Sequence, residues 1–277
     1  MRSSVALLVA YLAAFLISPA TATTLTQPAQ DACPRIVSQS PYITQALIWF
    51  GLERCIVGVS RYDNLDRPRT GGVIDPDVDV IALLEPQLMI TSNWTPAAAW
   101  QNAAPIGAST LRVDGFRGMA GVETMLRDIG RAAGVTDSEA RVTRFAADWR
   151  AMAKTVNGKG RRVLILSACS QAPYSFGRGT TLHELFTAAG LDVVANHDSI
   201  RNFHPGKPDG DVSTWIKERK PDYILALKNN RDEACNASIA APGIPILPLD
   251  GALFTHPGPA LLDGLAQLRD TLKALDR

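Results

Sequence analysis

RIVSQSPYITQALIWFGLERCIVGVS, residues 35–60, contains in order a short β-rich run, an apolar helical run and a second β-rich run. Ile36-Val37-Ser38 is too short and too β-branched for a helix and reads as a strand. Thr44 to Phe50 reads as a helix stopped at Gly51, a residue that tolerates the left-handed turn needed there. Ile56 to Val59 is the next strand. Strand, helix and strand at this spacing are the unit of an α/β domain.

The unit recurs outward from this segment. Asp77 to Leu84 reads as a short helix, Leu88 to Thr91 as a strand and Leu111 to Val113 as a fourth strand. From Met119 to Val156 the strand signal stops and a helical pattern takes over, interrupted at Gly134. Asp137 or Thr136 can cap its second part, which runs through Arg141, Phe145, Trp149 and Met152. This stretch has no Gly/Ser-rich or Pro-rich character, so it predicts a stiff connection. The α/β texture then resumes with strands at Arg162 to Leu166, Tyr223 to Leu227 and Ile246 to Leu249. Helices are expected at Thr181 to Ala189, ended by Gly190, and at Ala260 to Leu275. The organisation predicted is an N-terminal lobe over 33–133, a connecting helix over 136–157 and a C-terminal lobe over 160–277.

Ahead of the first lobe, Arg2 precedes the apolar run Val5 to Ile17, and Ala20-Thr21-Ala22 supplies small residues for cleavage. Residues 1–22 therefore read as a signal peptide, the mature chain starting near Thr23. The run is short for a membrane span. Cys33 lies well past the cleavage point, which argues against a lipid anchor. The expected location is the periplasm. A net charge of +1 shows no global basic bias, which argues against nucleic acid as a partner, since such binders normally need a concentrated positive face.

Four cysteines in an exported chain point to disulfides. Cys33 and Cys55 each precede one of the first two strands. Parallel neighbours start about 4.8 Å apart, a spacing that suits a bridge if those strands pair. Cys169 follows the strand at Val163 to Leu166, and Cys235 follows Tyr223 to Leu227. The favoured pairing is Cys33–Cys55 with Cys169–Cys235, one in each half. A tetracysteine zinc site lacks the C-x-x-C spacing that would support it.

Taken in order, these segments resemble the periplasmic binding proteins for iron-siderophore and vitamin B12. The resemblance rests on residues 35–41 and 51–60, on Gly71-Gly72 with residues 79–90, and on residues 174–180 leading into Leu182 to Phe186 and Ala189-Gly190-Leu191. Val212-Ser213, residues 220–225, Ile244 to Leu249 and His256-Pro257-Gly258-Pro259 complete it. It covers nearly the whole mature chain. It implies two α/β lobes joined by one long rigid helix, ligand held in the cleft between them, and delivery to an ABC importer permease in the inner membrane. It also implies one docking carboxylate on each lobe. Asp79 stands at the first position, a shorter acid than the family's glutamate. The second-lobe segment Val212 to Trp215 is about one residue short, leaving Glu218 or Asp211 as the substitute.

In open α/β sheets, ligands bind beyond the carboxyl ends of the strands. That rule selects Tyr42, Arg61, Tyr62, Asn93, Trp94, Phe116 and Arg117 in the first half. In the second it selects Tyr174, Phe176, Arg178, Lys228 and Asn229, with Phe203-His204 and Phe254 as looser candidates. Stiff aromatic faces suit a bulky chelate, and the cations suit bound carboxylates or phosphates. Trp49 and Trp149 lie in helical patterns and read as packing residues. Gly177 to Thr181 opens a helix in which Thr181-x-x-Glu184 fits a capping box, and its amides offer a place for an anionic group. The Walker lysine is missing there, so nucleotide binding has no support.

All four histidines lie in the second half, which disfavours bare-metal capture between two lobes. No G-x-S-x-G or H-E-x-x-H motif is present, so catalysis has no local signature. The expected ligand is a metal chelate, of the iron-siderophore type ahead of a corrinoid, with no resident cofactor. A periplasmic cofactor-handling enzyme on the same fold is the rival reading.

Overall fold

The computed structural model describes residues 33–167, 173–204, 211–228, 239 and 243–276. The expected signal peptide, Cys169, Cys235 and Asn229 lie outside the described residues. Residues Cys33–Arg277 form one compact unit holding two sheets.

The first sheet contains β1 (Ile36–Ser38), β2 (Ile56–Val59), β3 (Leu88–Ser92) and β4 (Ser109–Val113), all parallel in the order β2-β1-β3-β4. Side-chain alternation divides its contents between two faces. Ile36 and Ile90 join the main core, while Val37 and Met89 join a smaller cluster with Ile81, Trp100 and Ala103. Such a sheet is covered on both faces, as parallel sheets require. Pairing of β1 with β2 brings Cys33 and Cys55 together, their Cα atoms 5.9 Å apart across the disulfide.

Helix α1 spans Pro41–Trp49 and begins three residues earlier than its apolar pattern suggests, because Pro41 occupies the first turn where a missing N–H costs nothing. Gly51, at φ +80°, turns the chain out of it. Helix α2 (Val78–Leu83) is capped by Asp77, whose carboxylate accepts the Val80 N–H at 3.1 Å. Helix α3 (Ala97–Asn102) carries no clear period in sequence; the burial of Trp100 holds it.

Helices α4 (Gly118–Ala132) and α5 (Ser138–Val156) meet at the Gly134 turn. Neither cap expected from sequence forms: Asp137 is the N-cap residue of α5 but makes no side-chain cap bond. The helix is held by tertiary contact instead. Val142, Phe145, Ala146, Trp149, Ala153 and Val156 form its buried stripe at helical spacing. Across the α4–α5 joint, Glu123 accepts the Trp149 indole N–H at 3.1 Å and pairs with Arg150 at 3.0 Å.

The second sheet runs β10-β9-β5-β6-β8, with β7 also on β5. Its strands are β5 (Arg162–Ser167), β6 (Tyr174–Phe176), β7 (Asp192–Val193), β8 (Ile200–Asn202), β9 (Tyr223–Lys228) and β10 (Ile246–Asp250). One edge of β5 is shared: β7 pairs in parallel with its start, and β6 pairs antiparallel with its end. Residues 174–178, read from sequence as a loop, thus begin as a strand, since three residues cannot display a period-two pattern. Helix α6 (Thr181–Ala188) follows, and then α7 (Val212–Arg219), which has Val212, Trp215 and Ile216 inward. Helix α8 (Gly251–Phe254) and helix α9 (Leu261–Ala274) close the chain. Helix α5 packs on α4, α6 and α9, so it is built into both halves.

Candidate ligand-binding cleft

A cleft of about 1070 Å³ opens between the exit loops of the first sheet and the β6–β8 side of the second. The first-lobe wall comes from the carboxyl ends of β1, β3 and β4: Ser40 and Tyr42, Asn93 and Trp94, then Asp114, Phe116 and Arg117. Trp94 stacks on Phe116 at 4.8 Å between centroids and 20° between planes, and Tyr42 meets Phe116 edge-on at 5.2 Å. Trp94 is 55% exposed, so one large aromatic face is open to the cleft side of the molecule. Tyr42, in contrast, is buried, and its hydroxyl donates to the Val113 carbonyl at 3.3 Å. Burial pushes the phenol well above its ordinary range; the Ser92 contact pulls the other way and Asp114 adds to the rise. Tyr42 is therefore held as a neutral phenol.

Asp114 organises this wall. Its carboxylate accepts the Asn93 side-chain N–H at 2.9 Å and the Phe116 amide at 3.0 Å, and it pairs with Arg117 at 3.1 Å. Among the described lining residues Arg117 is the single Arg or Lys, and its charge already has that partner.

The second-lobe wall is formed by Tyr174, Phe176, Gly179 and Thr180, by Asp198 to Ile200, and by Asn202, Thr255 and His256. Tyr174 and Phe176 leave the same face of β6 and meet edge-on at 5.5 Å. His197 fixes the neighbouring loop. Its Nδ1 lies 2.6 Å from the Ser199 carbonyl, which can only accept, so in the neutral ring Nε2 takes the Ser175 hydroxyl proton's hydrogen bond at 2.5 Å. Burial is the main cause of its lowered pKa, which favours that neutral form.

The helix start at Gly177 to Thr181 differs from its sequence reading. The amides of Gly177, Arg178 and Gly179 donate to the carbonyls of Ser199, His197 and Asp198, while Thr180 and Thr181 donate to Gly177 and Phe116. They are occupied by backbone and have nothing left for an anion. Gly177 permits this approach, since a Cβ there would lie 2.1 Å from the His197 carbonyl oxygen. The cap is also displaced by one residue: Thr180, not Thr181, accepts the His183 N–H, at 3.4 Å. Glu184 does not close a box on its own helix. It reaches the other half and accepts the Met119 N–H of α4 at 2.8 Å. Thr181 donates its hydroxyl to the Gly115 carbonyl at 2.8 Å, so α6 grips the loop that carries Phe116.

Seven of the sequence-selected ligand residues line the cleft: Tyr42, Asn93, Trp94, Phe116, Arg117, Tyr174 and Phe176. Arg61 and Tyr62 follow β2, the edge strand farthest from β4, and fall outside it; Arg61 pairs with Asp75 at 2.6 Å. Arg178 is not among the lining residues but pairs with one of them, Asp198, at 3.5 Å, and Lys228 ends β9 without joining the lining. Sequence reasoning missed Asp114, Asp198 and His256. The nearest signals were Phe116 and Arg117, in the loop that Asp114 opens, and Phe254, two residues before His256.

Of the other named residues, Trp149 is buried as expected, and Trp49 packs on Phe145 and under Arg141. Asp79 is exposed on α2, its helix already capped by Asp77. Asp211 is taken up as the cap of α7, bonding Ser213 N–H at 3.0 Å, while Glu218 is exposed beside Arg219. The described residues contain no cluster of three or more His, Cys, Asp or Glu fit to hold a bare metal ion.

A family model described as periplasmic binding protein matches residues 36–239. No curated protein sequence matches the chain. Among solved structures, the periplasmic heme-binding protein RhuT of Roseiflexus sp. RS-1 is similar at TM-score 0.72 and 17% identity, covering 89% of this chain and 100% of that one. The periplasmic vitamin B12 binding protein BtuF of Vibrio cholerae has TM-score 0.65 and 15% identity, covering 88% and 98%. The petrobactin-binding protein YclQ of Bacillus subtilis has TM-score 0.66 and 16% identity, covering 87% and 92%. At these identities the likeness is one of fold.

Proposed function

The chain belongs to the periplasmic binding protein family, and on that premise we propose that its cleft captures a metal chelate and delivers it unchanged to an ABC importer. The observation that carries the reading is the first-lobe wall: Trp94 stacked on Phe116, with Tyr42 behind, facing about 1070 Å³ of space. That volume is at the upper end for small-molecule sites, and a wrapped metal complex fills such a space where a bare ion does not. Neighbours of this fold named for heme, vitamin B12 and petrobactin support the ligand class.

Within the class, iron-siderophore and macrocyclic chelates make different demands. A strongly anionic ferric complex needs cations, and Arg117 with its Asp114 partner is what the described lining offers. A flat macrocycle needs ring faces, and the 20° stack of Trp94 on Phe116 favours this second reading. Export by residues 1–22 and docking through Asp79 and Glu218 belong to the same proposal. Exposed Val78 and Leu83 flank Asp79 on α2 and give a permease an apolar surround for the charge.

The test is to purify the mature chain from native periplasm and identify the co-purifying small molecule by mass spectrometry. Heme, cobalamin and a ferric siderophore are then titrated against the emptied protein. One of them should bind at one-to-one stoichiometry and be recovered chemically intact. Failure of all three to bind, or recovery of an altered chelate, would sink the reading.

A further inference from the structure

We infer that a small apolar chamber beside the cleft is a second subsite, which takes a short alkyl or alkenyl substituent on the rim of a planar chelate. The inference rests on the metal-chelate reading above and narrows it to ligands that carry such a group.

The chamber measures about 20 Å³ and lies alongside the cleft, with which it shares Phe116, Phe176, Thr180, Ile200 and Thr255. Thr181 and Leu182 at the start of α6, with Phe254 and Pro257 at the end of α8 and just beyond it, complete the lining, and all four are buried. Roughly 10–15 Å³ admits one water, so this space suits a group of about one or two heavy atoms, a methyl, ethyl or vinyl.

The chemistry of the lining favours carbon over water. Phe116, Phe176, Leu182, Ile200, Phe254 and Pro257 present hydrocarbon side chains. The remaining three are threonines whose hydroxyl protons are committed to backbone. Thr180 donates to the Gly177 carbonyl at 2.7 Å, Thr181 to Gly115 at 2.8 Å and Thr255 to Gly251 at 2.7 Å. A buried water makes about three hydrogen bonds, and these side chains have no proton left to donate to it. An apolar group gains dispersion contact with the same walls and gives up no hydrogen bond.

The walls are backed, so the chamber selects by size. Phe254 meets Phe186 at 5.3 Å between centroids, and Gly264 comes so close to it that a Cβ there would lie 2.8 Å from the Phe254 ring. Pro257 is set against Gly115 in the same way, where a Cβ would lie 3.0 Å from its ring. Close-packed walls of this kind do not yield to an added atom without strain. Phe116 belongs to both spaces and carries the Trp94 stack, which places the chamber next to the wall proposed to hold the ligand's face.

Ferric porphyrins that differ only in two rim substituents are titrated into the mature chain. Deuteroporphyrin IX carries hydrogen there, mesoporphyrin IX ethyl, protoporphyrin IX vinyl and haematoporphyrin IX hydroxyethyl. The ethyl and vinyl forms should bind about tenfold more tightly than the hydrogen form, the scale of a small apolar group seated in a fitted pocket. The hydroxyethyl form should lose that gain, because its hydroxyl finds no partner in the chamber. Leu182→Phe and Ile200→Phe each fill the space and should abolish the preference. Crystals of the parent under xenon pressure should hold the gas in the chamber, a readout that needs neither a variant nor a chelate. Equal affinity across the series, a preference that survives in both filled variants, or no xenon in the chamber overturns the inference while leaving the metal-chelate function intact. Binding of cobalamin or a ferric siderophore with no porphyrin bound does the same. If no chelate binds, both fall.

Discussion

Trp94 has more than half of its surface open, yet its ring is not free to turn, because it lies stacked on Phe116 at 4.8 Å. A pre-set aromatic face binds a flat ligand without first losing rotamer freedom. Trp94→Ala should therefore weaken chelate binding by about 1 kcal/mol, roughly fivefold, and remove most of the ligand-induced change in tryptophan fluorescence. Unchanged affinity and signal would show that this wall is not used. The aromatics were legible in sequence because they stand directly after strands, where α/β sheets hold ligands. Asp114, Asp198 and His256 were not. A loop acid or histidine has no period, and its part in a site depends on what the other lobe brings opposite it. Two of the cations, unlike Arg117, stand outside the lining for a related reason. Arg61 and Arg178 occupy strand-exit positions, but each is turned toward a local carboxylate, Asp75 and Asp198.

At the scale of elements, the decisive feature is a helix capped from another part of the chain. Helix α4 begins at Gly118 with no side-chain cap of its own, and Glu184 on α6 accepts its Met119 amide. A carboxylate at a helix N-terminus both satisfies an otherwise unpaired donor and meets the positive end of the helix dipole. Glu184→Ala should lower unfolding free energy by about 1 kcal/mol in urea titrations, the scale of a lost cap. Glu184→Gln should recover part of it. If both variants match the parent, the Met119 bond is incidental. The same geometry explains why the capping box inferred from Thr181-x-x-Glu184 did not form. The spacing fits, but Thr180 takes the cap and the glutamate has a better partner across the interface. Cys33–Cys55 went the other way: two strand starts and one parallel pairing were enough to place the bridge.

For the whole molecule, pH acts through three histidines, His183, His197 and His256, whose pKa values all fall on folding, with burial the first cause in each. Below the ordinary value near 6.5 the unfolded chain takes up protons that the folded chain refuses, so acid favours unfolding. Their contribution is complete above about pH 7 and is lost as pH falls through the depressed folded values. Thermal midpoints should hold steady from pH 8 to 7 and decline from pH 6.5 to 5, before carboxylates titrate. A flat profile over that window would contradict the burial. Delivery to the permease is also a property of the whole surface. Asp79→Ala should slow chelate uptake while leaving chelate affinity unchanged, since an exposed interfacial charge sets orientation and on-rate more than binding energy. Normal uptake by both Asp79→Ala and Glu218→Ala would exclude these docking positions. Local pattern by itself determined the α/β class, the long helical connection and the first disulfide, because apolar period and strand order are written over a few neighbouring residues. The cleft was decided only in the tertiary structure. Its chemistry depends on pairs far apart in the chain, Glu184 with Met119 and Thr181 with Gly115, and on hydrogen bonds that consume the amides of Gly177 to Thr181. Such pairings follow from how two lobes pack, a relation that no short window of sequence contains.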